Sequence, residues 1–228
     1  MTLPPRLKKI VEFAGKCGVV ADIGTDHALV PVYLIENGFY NKAYACDIRP
    51  LPLKRADEYI SSRNLSDKIT TILSDGLKKV PDGVDTVIIA GMGGEMITEI
   101  LSSDITHSNA LLVLQPMTAI NELRLYLYSN GYVILDEDIV SEHADRKLYS
   151  VMKVRKTSKQ TYYSELDILL SPALQSKKTR EKELYIKKNI KSRIEIIENL
   201  KKSPSPDVGY LIKTESEIKL LERCLYEE

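Results

Sequence analysis

The chain has 228 residues, of which 43% are apolar and 28% charged, and its formal net charge is zero. That length suits one α/β domain with a smaller appendage, and neutrality argues against a globally basic nucleic-acid binder without excluding a local basic face. No apolar run reaches the roughly 18–20 residues of a membrane span, residues 1–9 lack the apolar core of a secretory signal, and Cys17, Cys46 and Cys224 form no CxxC pair that would suggest a disulfide framework or a zinc site. The expectation is a protein of the reducing cytoplasm, with neither a membrane nor a metal among its partners.

Residues 3–15 read as an amphipathic helix, with Leu7, Ile10, Val11 and Ala14 on one face. Strands and helices then alternate. Strands are predicted over 19–23, 42–47, 69–73, 86–90 and 111–114, and helices over 28–37, 53–62, 95–102 and 119–129. The strands are short and continuously apolar, the pattern of a parallel sheet covered on both faces. After Gly131, residues 132–140 and 148–154 read as two strands joined by a polar connection, so the sheet closes with an antiparallel hairpin. Five βα units followed by a hairpin is the order of class I methyltransferases.

A domain boundary is expected near residues 156–163, dividing the chain into 1–156 and 157–228. A short helix is predicted around 163–174. Beyond it, Ile186, Ile190, Ile194 and Ile197 form a helical stripe. Ser203-Pro204-Ser205-Pro206-Asp207 breaks it, and Leu211, Ile218, Leu221 and Leu225 form a second. Two such helices make an antiparallel, coiled-coil-like hairpin. Between residues 177 and 202, ten basic residues face four acids, a local excess of +6 suited to phosphate.

The richest stretch is Asp22-Ile23-Gly24-Thr25-Asp26-His27, where an apolar strand meets a glycine turn. Asp47 ends the next strand, at the spacing of a carboxylate that binds a ribose diol. Singly, Asp22 reads equally well as a cap or turn acid and Asp47 as a turn acid; together they favour a nucleoside-containing cofactor. No glycine lies between Gly24 and Gly38, so the Gly-x-Gly-x-x-Gly pattern of a pyrophosphate site is absent. A cofactor without phosphates, S-adenosylmethionine, fits better. Asp75-Gly76 follows the third strand, where an acid suits the adenine amino group; the plain alternative is an Asp-Gly turn. Gly91-Met92-Gly93-Gly94 leaves backbone open at the end of the fourth strand, and the Pro-Pro motif common in amine-methylating enzymes is missing there; this segment reads equally well as a helix-leading turn. Gln115 offers a donor and an acceptor to a base edge beside Pro116, although a strand-ending turn explains it as well.

Taken together, Asp22-Ile23-Gly24-Thr25-Asp26-His27-Ala28, Asp47, Asp75-Gly76-Leu77, Gly91-Met92-Gly93-Gly94, Leu114-Gln115-Pro116, Asn130-Gly131-Tyr132 and Lys147-Leu148-Tyr149 resemble the bacterial tRNA adenine-22 N1-methyltransferase family. The resemblance covers residues 1–155 and extends more loosely to the end. Departures are Thr25, where serine is frequent, Arg49 and Pro52 after Asp47, Ala90 and Met117. The resemblance implies methyl transfer from S-adenosylmethionine to N1 of adenine 22 in tRNA. It places Asp22, Gly24, Thr25, Asp47, Ile48, Asp75, Gly76, Gly91 and Met92 at the cofactor. Arg6, Lys8, Lys9, Gly93, Gln115 and Pro116 would meet the substrate. Asp26 is the candidate carboxylate for the exocyclic amine, with His27 beside it; the competing role for Asp26 is a helix cap and for His27 loop packing. The target base must rotate out of the folded RNA, and the helical region would reach the RNA elsewhere. A monomer or weak homodimer is expected. A methyltransferase for a small molecule or protein, a nicotinamide oxidoreductase and a non-catalytic RNA scaffold are the competing functions.

Overall fold

The computed structural model describes residues 2–103, 106–107, 109–159 and 162–226. The chain divides into two units, Met1–Thr161 and Tyr162–Glu228. Residues 160 and 161, within the expected boundary segment, lie outside the described residues.

In the first unit, the elements run α1 (Pro5–Ala14), β1 (Val19–Ile23), α2 (Leu29–Glu36), β2 (Lys42–Asp47), α3 (Pro50–Ser62), β3 (Ile69–Leu73), β4 (Thr86–Met92), α4 (Gly94–Ser102), β5 (Leu111–Pro116), α5 (Ile120–Ser129), β6 (Tyr132–Glu142) and β7 (Lys147–Lys156). Among the described residues the strands form one sheet of order β3-β2-β1-β4-β5-β7-β6. The first five strands are parallel, and β7 is antiparallel to both neighbours. All of β5 is buried, as continuous apolar strands demand when helices cover both faces. One core layer joins Ile10 of α1, Leu34 of α2 and Ile60 of α3 to the sheet. The other joins Ile97 of α4 to Leu123 and Leu127 of α5. The expected Rossmann-like methyltransferase sheet with its closing hairpin is therefore present.

Three of the boundaries that differ from expectation have local reasons. The helix predicted from residue 53 starts at Pro50, because proline is tolerated in a first turn where its missing N–H has no intrahelical partner. β4 and β5 run on to Met92 and Pro116, which pair with each other past an irregularity between Ala90 and Met92.

The second unit holds α6 (Glu165–Leu169), α7 (Pro172–Gln175), α8 (Arg180–Lys201) and α9 (Val208–Tyr226). The helix predicted around 163–174 is thus two short ones. Ser164 and Ser171 cap them, and Pro172 cannot continue the first. The predicted isoleucine stripe is only partly internal. Ile186 and Ile197 are buried, but Ile194 is 44% exposed. Each four-residue step overshoots a full turn by about 40°, so the row drifts off the inner face. Arg193 takes that place and pairs with Glu217 of α9, Nε to Oε2 at 2.7 Å. Of the ten basic residues, Lys182 is also internal, its Nζ donating to the carbonyls of Gln175 and Lys177 at 2.8 Å each.

Candidate functional site

The carboxyl ends of the parallel strands bring most of the expected residues to one edge. Gly24 and Thr25 both donate their backbone N–H to the carbonyl of Cys46, at 2.8 and 2.9 Å. This locks the first loop onto β2 just before Asp47. Gly24 has φ +77°, and a Cβ there would lie 2.2 Å from Met92 Cε. Glycine suits this left-handed turn, and it leaves room for the end of the Met92 side chain against the loop.

Asp22 and Asp47 are both buried, with 6% and 5% exposure. Burial pushes the Asp22 carboxyl up to about 6, and the Asp47 charge adds to the shift. The Thr25 hydroxyl opposes it, although its buried Oγ1 completes no well-formed hydrogen bond. Two buried carboxylates and a buried hydroxyl without a well-formed hydrogen bond, beside a glycine cradle, offer acceptors to a polar ligand. An amino-acid ammonium against Asp22 and a ribose diol against Asp47 would complete them. Asp47 Oδ1 also accepts the Arg49 N–H at 2.8 Å, which shapes the following turn, and Ile48 beside it is 62% exposed.

Asp75 stands exposed at the third loop and pairs with Lys78, while Ser74 Oγ donates to the Gly76 carbonyl at 2.9 Å. Asp26 does not cap α2. The N-cap is Ala28, and no side chain bonds to that helix end. The Asp26 carboxylate instead stands half exposed between His27 Nε2 and Arg55 Nη1, each at 3.5 Å. Arg55 escaped the sequence reading because nothing in its spacing links it to Asp26.

Gln115 is fully buried. Its Oε1 accepts from Arg6 Nη1 at 2.6 Å and from the Gly91 N–H at 3.1 Å. Its Nε2 donates to the Pro116 carbonyl at 2.9 Å. The amide expected to read a base edge is therefore engaged internally, as a tie between β5, the end of β4 and α1. The neighbouring loops are joined as well, Met117 N–H to the Met92 carbonyl at 2.8 Å and Gly94 N–H to the Thr118 carbonyl at 2.9 Å. A Cβ on Gly94 would strike the Ala119 carbonyl at 2.3 Å, so this glycine is needed for close packing. Gly93 lies between these contacts and is half-buried.

The N-terminal basic residues differ from one another. Lys8 is exposed. Lys9 pairs with Glu12 at 2.8 Å and Asp138 at 2.9 Å, which ties α1 to β6. Arg6 lies at the edge, its Cζ 5.3 Å from the Tyr149 ring centroid, and its backbone N–H donates to Glu142 at 2.9 Å. Glu142, Asp138 and Tyr149 are partners that no local pattern announced. Among the described residues no group of three metal-ligating side chains occurs, and no helix is long and apolar enough to cross a membrane.

This sheet order, with Asp22 and Asp47 near the ends of the first two strands beside a glycine loop, is that of a class I methyltransferase and fits S-adenosylmethionine. Residues 3–152 match a family described as a methyltransferase domain. A tRNA (adenine(22)-N(1))-methyltransferase of Bacillus subtilis is 31% identical over 185 residues, spanning 78% of this chain and 77% of that one. The crystal structure of the B. subtilis m1A22 tRNA methyltransferase TrmK superposes with a TM-score of 0.87 at 26% identity, covering 98% of this chain and 99% of that one. The structure of M. capricolum TrmK with S-adenosyl-homocysteine gives 0.84 at 27% identity, covering 99% and 98%. The chain belongs to the tRNA (adenine(22)-N1)-methyltransferase family.

Proposed function

We propose that this chain methylates N1 of adenine 22 in tRNA. The observation that carries the reading is the buried Asp22–Asp47 pair beside the Gly24 cradle, in a chain of this family. S-adenosylmethionine, when bound, supplies an electrophilic methyl group on its sulfonium. Asp22 takes the ammonium, Asp47 the ribose hydroxyls, and Thr25, Gly76 and Asp75 border the remaining contacts; Ile48 and Met92 supply apolar surface.

Adenine N1 carries its own lone pair, so no residue needs to remove a proton before transfer. The ring becomes cationic. Asp26, exposed at the edge and kept beside Arg55 and His27, accepts a hydrogen bond from the exocyclic amine and stabilises the developing charge. His27 shapes that corner. Gln115 acts by position, holding the Gly91–Gly93 turn and Pro116 against β5. Lys8 is exposed toward RNA phosphate, which the enzyme must hold while the base is extruded, and Arg6, tied to Gln115, borders that path.

We read residues 1–156 as the catalytic domain and residues 157–228 as an RNA-contacting domain. The working form is a monomer or weak homodimer in the cytoplasm, which sedimentation and fractionation would check. The test of function incubates the purified chain with labelled S-adenosylmethionine and unmodified tRNA bearing A22 or G22, then digests the RNA to nucleosides. N1-methyladenosine from the A22 RNA alone is expected. Label in neither RNA, with cofactor binding intact, would overturn the reading.

A further inference from the structure

The β6–β7 hairpin extends beyond the sheet at the end where the site lies. Leu114 pairs with Met152 across the antiparallel β5–β7 junction, so Pro116, the last residue of β5, stands opposite Ser150. Lys147, Leu148 and Tyr149 therefore run past the carboxyl edge by about 10 Å at normal strand rise. The tip is held in an uncommon shape. His143, Ala144 and Asp145 all have positive φ, at 54°, 52° and 65°, a conformation that side-chain-bearing residues keep only where their surroundings impose it. Ser141 Oγ donates to Asp145 across the turn, and the Arg146 N–H donates to the His143 carbonyl at 3.3 Å.

The charges on this overhang are unevenly engaged. Glu142 accepts the Arg6 N–H, and Asp145 accepts the Ser141 hydroxyl. Arg146, Lys147 and His143 are exposed. The overhang is also wired to the site. Arg6 lies over the Tyr149 ring and bonds to Gln115, which holds the Gly91 N–H.

We propose that this hairpin end is a phosphate-binding wall for the RNA strand flanking the extruded adenosine, with Arg146 and Lys147 as its two cations. The inference rests on the RNA substrate read above and adds a contact surface to it. A base turned into the edge leaves its backbone above the rim, and that is the height at which the overhang presents charge. Guanidinium is suited to two-point phosphate contact, and the ammonium adds an unoriented charge. Together they position the strand without reading its sequence.

The test uses the full chain and compares Arg146→Gln/Lys147→Gln with Lys16→Gln/Lys68→Gln. The second variant removes two exposed charges from positions just before β1 and β3, at the opposite edge. Direct tRNA binding is measured across a salt series, with kcat, KM for tRNA and binding of S-adenosyl-homocysteine alongside. The hairpin variant is expected to bind tRNA about tenfold more weakly near 0.15 M salt. Its salt slope should fall by between about 1 and 2, with KM raised, and kcat and cofactor binding unchanged. The control should match wild type. A native salt slope and KM in the hairpin variant overturn the wall. Binding of tRNA by wild type without methyl transfer overturns the functional reading alone, and no binding by wild type overturns both.

Discussion

Arg6 Nη1 donates to Gln115 Oε1 at 2.6 Å, joining residues 109 positions apart. The same oxygen receives the Gly91 N–H, so one buried amide holds the N-terminal helix and the turn after β4 to the end of β5. Arg6 Nε is itself buried without a partner, which leaves the guanidinium dependent on Gln115 and the Tyr149 ring. Gln115→Ala strands the Arg6 guanidinium and the Gly91 N–H, at a cost of about 1–3 kcal/mol. A fall in kcat of roughly 10- to 100-fold is expected, with binding of S-adenosyl-homocysteine retained. Steady-state kinetics with calorimetric cofactor binding would check this, and an unchanged kcat would show that the tie does not position the reaction.

The Asp22 carboxyl is held up at about 6 by burial, against an ordinary 3.8. Without ligand, the folded chain retains a proton that the unfolded chain releases in that window. Stability therefore falls as pH rises from about 4 to 6 and stays lower above it. Asp22→Asn should stabilise the ligand-free protein at pH 8 by up to about 3 kcal/mol and leave it unchanged at pH 4. An ammonium ligand favours the ionised form, so affinity for S-adenosyl-homocysteine should drop below pH 6 by up to about tenfold per unit. Titration calorimetry from pH 5 to 8 reads this directly; a flat wild-type profile would remove Asp22 from the ammonium site.

Gly24 and Met92 form a second coupling that can be measured. Gly24→Ala introduces a methyl 2.2 Å from Met92 Cε and strains a φ of +77°. The backbone part alone costs roughly 1–2 kcal/mol, so stability to denaturant should fall by at least that amount. Adding Met92→Ala should recover only the steric part. Full recovery in the double variant would show that the left-handed turn is not the constraint.

Arg124 and Glu137 are both fully buried, with Nη2 to Oε1 at 2.6 Å and Nε to Oε2 at 3.1 Å. Ser150 Oγ donates to the same carboxylate at 2.6 Å. The network fastens α5 to the hairpin strands. Arg124→Met leaves a buried carboxylate without its counter-charge and should cost about 3–5 kcal/mol. Arg124→Met/Glu137→Leu should cost less than the sum of the single changes. Simple additivity in denaturant unfolding would exclude a coupled pair.

Much of the fold was legible because its signals are local. Val19–Ile23, Lys42–Asp47 and Ile69–Leu73 are short segments rich in apolar and β-branched residues, and each is a strand within those bounds. β4 and β5 ran longer than expected because Met92 and Pro116 pair with each other, and neither residue signals a strand by itself. Ile194 was misplaced because a four-residue repeat drifts around a helix, and the inward position it vacated went to Arg193, which Glu217 on the next helix and Asn189 one turn earlier make tolerable.

The site divides in the same way. By itself the sequence determined the βα order, the closing hairpin and the presence of Asp22, Gly24, Asp47 and Asp75 at strand ends, because strand period, apolar runs and glycine turns act over a few residues. Only the tertiary structure decided that Gln115 is a buried tie, that Lys9 is taken up by Glu12 and Asp138, that Asp26 stands between His27 and Arg55, and that β7 overhangs the edge. Those outcomes depend on which distant residue fills the neighbouring space and which polar group loses its water. Sequence spacing carries neither.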